Sequence, residues 1–155
     1  MKIGILGTRG IPNRYGGFEQ FAQYLSVGLV QRGHEVVVYT SKIHPCKTDF
    51  YKGVSLVRIC DMEETLGTAG QFIYDFLSII DSRKHNFDII LQLGYTSSAL
   101  FYPLHPKGVP VITNMDGMEW KRSKYSSLVQ RFLHFSEKLV VRKSDHLIAD
   151  STEIQ

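Results

Sequence analysis

Two adjacent glycines, Gly16 and Gly17, stand at the amino end of a segment with helical apolar spacing, and Arg9 and Arg14 lie just ahead of them. The first N–H groups of a helix have no intrahelical partner and sit at the positive end of its dipole. A phosphate can bind there with no side chain in its way, and the two arginines could add charge-assisted bonds to the same anion. The alternative is structural, because two glycines also permit a tight turn into the helix. Glu19, in the first turn, suits a helix amino terminus whether or not it meets a ligand.

Other phosphate loops fail on residue type. A dinucleotide fingerprint needs G-x-G-x-x-G and an acidic residue about 20 positions further on. Here the glycines are Gly4, Gly7, Gly10, Gly16 and Gly17, and the second apolar run ends in Tyr39, Thr40 and Ser41 with no carboxylate. No G-K-[ST] occurs. Cys46 and Cys60 form no C-x-x-C pair and the six histidines show no ligand spacing with them, so the expectation is a reduced, metal-free domain.

The elements that must position these residues follow from periodicity. Short β-branched runs alternate with helical segments, the pattern of a parallel sheet covered by helices on both faces. Strands are expected over 2–6, 35–40, 54–59, 88–93, 110–114 and 146–149, and helices near 17–32, 66–84, 96–103 and 124–143. Phe18, Phe21, Ala22, Leu25 and Leu29 form one expected core-facing stripe, and Phe72, Ile73, Phe76, Leu77 and Ile80 a second. Six strands with right-handed crossovers give a Rossmann-like doubly wound α/β sheet of order 3-2-1-4-5-6, with its ligand crevice at the carboxyl ends of the strands. The residues there are the opening loop, Gly94 to Thr96, "NMDGMEWKR", and Asp150 with Ser151. Gln92, which can as easily face the core, is set aside.

The chain has 155 residues, 43% hydrophobic and 21% charged, enough for one domain with a sizeable core. It shows neither a signal-peptide pattern nor an apolar run of about 20 residues, so a cytoplasmic domain is expected. The net charge of +3 conceals a patch: residues 119–144 hold seven Lys and Arg against Glu119 and Glu137. Within it, Leu128, Val129, Phe132, Leu133, Leu139 and Val140 make a wide apolar stripe that reads as core. The alternative is that the basic ends lie on an anionic membrane surface. Nucleic acid is not expected as a partner, since no RNA-binding aromatic motif, zinc site or helix-turn-helix pattern accompanies the charge.

Three ordered motifs, "KIGILGTRGIP" with "RYGGFE", then "NMDGMEWKRSKY", then "LIADS", resemble the amino-terminal domain of retaining family 4 glycosyltransferases of the GT-B fold. The likeness covers essentially the whole chain and is greatest to the bacterial polysaccharide branch that includes rhamnosyltransferases. It implies a transferase moving a sugar from a nucleotide-diphosphate sugar to a saccharide or lipid-linked acceptor in polysaccharide or glycolipid assembly. It also implies a carboxy-terminal donor-binding domain beyond these 155 residues, no transfer without that domain, and contact with the inner face of the cell membrane as an open possibility. A stand-alone nucleotide- or nucleotide-sugar-binding domain is the rival reading.

Carried over by residue, the resemblance gives Gly16 and Gly17, with Arg9 and Arg14, to the donor diphosphate. Asp116 falls where many relatives have a histidine near the reacting centre. A carboxylate there could bond sugar hydroxyls or stabilise positive charge at the anomeric carbon, whereas Asp-Gly is also a turn dipeptide. Tyr15, Glu19, Tyr95, Gly117, Glu119, Trp120, Lys121 and Ser151 complete the expected acceptor-side set. Trp120 could stack on a sugar face or pack as a half-buried hinge. No D-x-D pattern is present, so neither a metal nor a cofactor beyond the nucleotide sugar is expected. The stretch from Thr8 to Tyr15 is expected to reach out into an interdomain cleft.

Overall fold

A computed structural model describes residues 1–115 and 117–149. Strands β1 (Lys2–Leu6), β2 (Glu35–Ser41), β3 (Phe50–Tyr51), β4 (Val54–Ile59), β5 (Ile89–Leu93), β6 (Val111–Met115) and β7 (His146–Ala149) form one sheet among these residues. Its order is β3-β4-β2-β1-β5-β6-β7. All pairs are parallel except β3–β4. Without β3 the order is the expected doubly wound one, so the fold is Rossmann-like. β3 escapes periodicity because it is a two-residue strand, paired to β4 through a turn at Lys52 and Gly53, both at positive φ.

Helices α1 (Gly17–Gln31), α2 (Glu63–Leu66), α3 (Thr68–Ser82) and α4 (Ser127–Lys143) connect the strands, with 3-10 turns at Ala99–Leu104 and Glu119–Lys121. The segment expected as a helix near 96–103 is that first 3-10 turn, which contains Pro103; proline removes a helical donor and crowds the preceding turn. Alternate residues of β2 face opposite ways. Val36 and Val38 join Ile3, Ile5, Leu91 and Leu93 under α1, whereas Val37 and Tyr39 join Leu6 and Ile90 beneath α3 and α4.

The helices bury the expected stripes in part: Ala22 is in the core with Phe18, Leu25 and Leu29 packed against it, and Leu77 packs against the core from α3. On α3 the face against the sheet is Tyr74, Asp75, Ser78, Ile79 and Ser82, while Phe76 of the expected stripe is exposed. Ser78 Oγ donates to Tyr74 O at 2.8 Å and Ser82 Oγ to Ile79 O at 2.7 Å, so these small side chains satisfy themselves on their own helix. They let the helix axis come close to the strands, and the bulkier aromatics flank the contact. α1 follows the same plan with Ala22 and Ser26 buried and Phe21 exposed. On α4, Leu133, Ser136 and Val140 are buried, but Leu128 is 78% and Val129 38% exposed, so the expected core stripe divides between core and surface.

Candidate functional site

A half-open cleft of about 350 Å³ lies where β1 and β5 end, between the loop after β1, the start of α1, and residues 93–97. In the doubly wound order this is the point at which the chain reverses direction across the sheet, where adjoining loops diverge and leave a crevice.

Glycine chemistry separates fold from site here. Gly7 has φ of +82°, and a Cβ on it would stand 2.1 Å from Leu93 O. Gly10 has φ of +126° and would place a Cβ 2.4 Å from Thr40. Both are dictated by the backbone. Gly16 is extended and Gly17 begins α1; a Cβ on Gly17 would meet nothing within 4 Å. Neither the backbone nor the packing demands glycine at position 17. Gln20 N–H is the first to close an intrahelical bond, onto Gly16 O at 3.1 Å, so the amides of Gly17, Phe18 and Glu19 precede the helical ladder.

The loop from Thr8 to Tyr15 does not reach outward as expected. Thr8 and Ile11 are buried, Tyr74 Oη donates to Thr8 O at 2.7 Å, Ser41 N–H donates to Arg9 O at 3.0 Å, and Asn13 N–H donates to Gln23 Oε1 at 2.6 Å. These bonds fasten the loop to α3, β2 and α1, and the apolar Ile11 draws it into the core beneath α1. Asn13, Arg14 and Tyr15 remain exposed.

Several sequence candidates are engaged within the protein. Arg9 lies over the Tyr15 ring at 3.9 Å, and its Nη2 donates to Glu63 Oε1 at 2.6 Å. Glu19 is buried and its Oε1 accepts from Arg9 N–H at 2.9 Å, which makes it a brace for the loop. Its other oxygen, Oε2, would lie 3.3 Å from a Cβ on Gly16, so a carboxylate already stands near the helix terminus. Arg14 lies on the outer side, with Arg9, Tyr15 and His44 around an adjoining hollow. With Glu19, Asp61, Glu63 and Asp75 lining the cleft and Arg9 the one Lys or Arg among its described lining residues, the local field is negative.

The second motif builds a separate wall. Glu119 is buried, pairing with Arg122 Nη2 at 2.7 Å and accepting from Tyr125 Oη at 3.3 Å. Trp120 is half-buried; its Nε1 donates to Glu137 Oε2 at 3.0 Å and its ring lies 4.6 Å from that of His134, which makes it a packing residue against α4. Tyr95 also departs from expectation, because its ring is 1% exposed in the core and its hydroxyl donates to the same Glu137 oxygen at 3.3 Å. Gly117 O accepts from that hydroxyl at 3.5 Å, and Lys121 is exposed. Asp116 and Ser151 lie outside the described residues.

Sequence reasoning passed over Asp75 and Ser97. Ser97 Oγ donates to Asp75 Oδ2 at 2.5 Å at the floor of the cleft. Burial, opposed by the Ser97 hydrogen bond and assisted by Asp61, pushes the Asp75 carboxyl up to about 6. The available signal was a carboxylate one residue after Tyr74 and four before Ile79, in the middle of the apolar stretch Phe72–Ile80. No group of His, Cys, Asp and Glu among the described residues is arranged to hold a metal ion, and no helix among them is long and apolar enough to cross a membrane.

Fold and cleft together define a Rossmann-like α/β domain with its crevice at the switch point. The chain belongs to the family described as a domain of unknown function (DUF1972), whose model matches residues 1–155. A search of curated proteins finds no match.

Proposed function

We propose that this chain is the acceptor-side domain of a glycosyltransferase, similar to the amino-terminal half of retaining family 4 enzymes of the rhamnosyltransferase-like branch. The observation that carries the reading is Gly17, a glycine that the fold does not require, placed at the free end of α1 on the rim of the switch-point cleft. The family's being a domain found in glycosyltransferase-associated proteins is in keeping with it. The negative field of the cleft suits saccharide hydroxyls, and leaves a donor diphosphate only the amides at the helix start and the cations Arg9 and Arg14. Most of the hold on the nucleotide therefore falls to residues beyond this domain.

Asp116, the residue that follows β6 in the sequence, is the proposed group at the reacting centre. The outward face of α4 adds a proposed resting place on anionic lipid. Leu128, Arg131, Phe135, Lys138 and Arg142 recur at helical spacing and all are exposed, while Glu137 on the same helix is engaged by Trp120.

A turnover screen of nucleotide sugars with the full-length protein tests the reading. Transfer from at least one donor is expected, with Asp116→Ala lowering it strongly at unchanged circular dichroism. Binding of nucleotide sugars without transfer to any saccharide or lipid-linked acceptor would favour a stand-alone binding domain. Near-normal turnover of the Asp116 variant would remove that residue from the reaction.

A further inference from the structure

The floor of the cleft contains a half-satisfied carboxylate. Asp75 is 7% exposed, and Ser97 occupies one of its oxygens. No described residue donates to the other. That oxygen is not among the buried polar atoms left without a partner, so it opens onto the cleft, where a ligand or water can reach it. No cation compensates: Arg9, which lines the same cleft, is bound to Glu63, and Glu63 Oε1 also accepts from Gln71 Nε2 at 2.9 Å. The charged and titratable groups facing Asp75 are Tyr74 on its own helix, Asp61 after β4, and Glu19 on α1. All are acidic or neutral.

An anionic ligand is disfavoured by this surround. What remains is a donor that brings no negative charge; the Ser97 hydroxyl, whose proton goes to Asp75, can accept from it as well, and Thr96 lines the same cleft. A sugar hydroxyl is such a donor. We propose that Asp75 and Ser97 form a subsite that binds a hydroxyl of a neutral saccharide, the free carboxylate oxygen accepting its proton. The class of ligand rests on the transferase reading; the subsite itself rests on the cleft.

Saturation-transfer NMR of the full-length protein with methyl α-glycosides of glucose, galactose, mannose and rhamnose tests the subsite, with glucuronic acid as an anionic probe. At least one neutral glycoside should bind, and glucuronic acid at least tenfold more weakly. Asp75→Asn should weaken the neutral glycoside at least tenfold with circular dichroism unchanged. Should that variant misfold, Ser97→Ala and the pH profile decide: affinity should fall in Ser97→Ala, and in the unaltered protein as pH drops through about 6, where Asp75 takes up a proton. Unchanged affinity in the variants, glucuronic acid binding as tightly as the neutral glycosides, or no glycoside binding at all would overturn it. The two readings fail separately. Glycoside binding through Asp75 without sugar transfer sinks the transferase and keeps the subsite, whereas transfer with an unchanged acceptor KM in Asp75→Asn does the reverse.

Discussion

Gly7 and Gly17 are ten residues apart and answer to different demands. Gly7→Ala forces a Cβ at positive φ onto Leu93 O, and should lower the thermal midpoint or prevent folding. Gly17→Ala should keep or slightly raise the midpoint, because alanine favours the helix and the space is open, yet weaken nucleotide-sugar binding measured calorimetrically on the full-length protein. Equal affinity would mean that the glycine serves no ligand. Asp75 offers a test by pH. Its carboxyl is raised from 3.8 in the unfolded chain to about 6, so the folded state binds more protons between those values. Its favourable contribution is complete below 3.8 and is lost as pH rises through 6, a difference of about 3 kcal/mol at most from the two-unit shift. Asp75→Asn should therefore be more stable than the unaltered protein in denaturant at pH 7.5, and the gain should vanish near pH 4.

Helices in this sheet meet it through their small residues. Apolar periodicity located α1, α3 and α4 to within a few residues and part of their contact faces, such as Ala22, Leu133 and Val140, but it missed Ser26, Ser78, Ser82 and Ser136, which lie beneath. Hydropathy sees a serine as polar; only tertiary packing shows that its hydroxyl is satisfied within the helix. Ser78→Leu should cost about 1–3 kcal/mol of unfolding free energy by overpacking. Phe76→Ser, on the exposed shoulder, should cost less, as denaturant midpoints would show. The outer face of α4 has its own test. The full-length protein should co-sediment with vesicles rich in phosphatidylglycerol and not with phosphatidylcholine alone, and Leu128→Glu with Phe135→Glu should release it. Binding indifferent to both charge and substitution would exclude α4 as the lipid contact.

For the molecule as a whole, strand order and crevice position were legible because both follow from alternation and crossover handedness, which one sequence carries. The charge layout was legible only in part. The basic segment of residues 119–144 shows plainly, whereas the acidic cleft draws Glu19, Asp61, Glu63 and Asp75 from four places that only the fold unites. The same limit applies to Tyr95 and Trp120, whose neighbours in sequence give no hint that both turn toward Glu137. Sugar transfer by the full-length protein should survive a chelator such as EDTA, since the proposed chemistry uses carboxylates, arginines and backbone amides; a loss restored by Mg²⁺ or Mn²⁺ would contradict it.

That shared glutamate has a mechanical consequence. One oxygen of Glu137 receives both the Trp120 indole, from the loop beyond β6, and the Tyr95 phenol, from the end of β5. The two segments are thereby latched to a single point on α4, so a load applied to that helix from outside is delivered to the rim of the crevice, and a helix held flat against a surface would pull on the loop after β6 that carries Trp120.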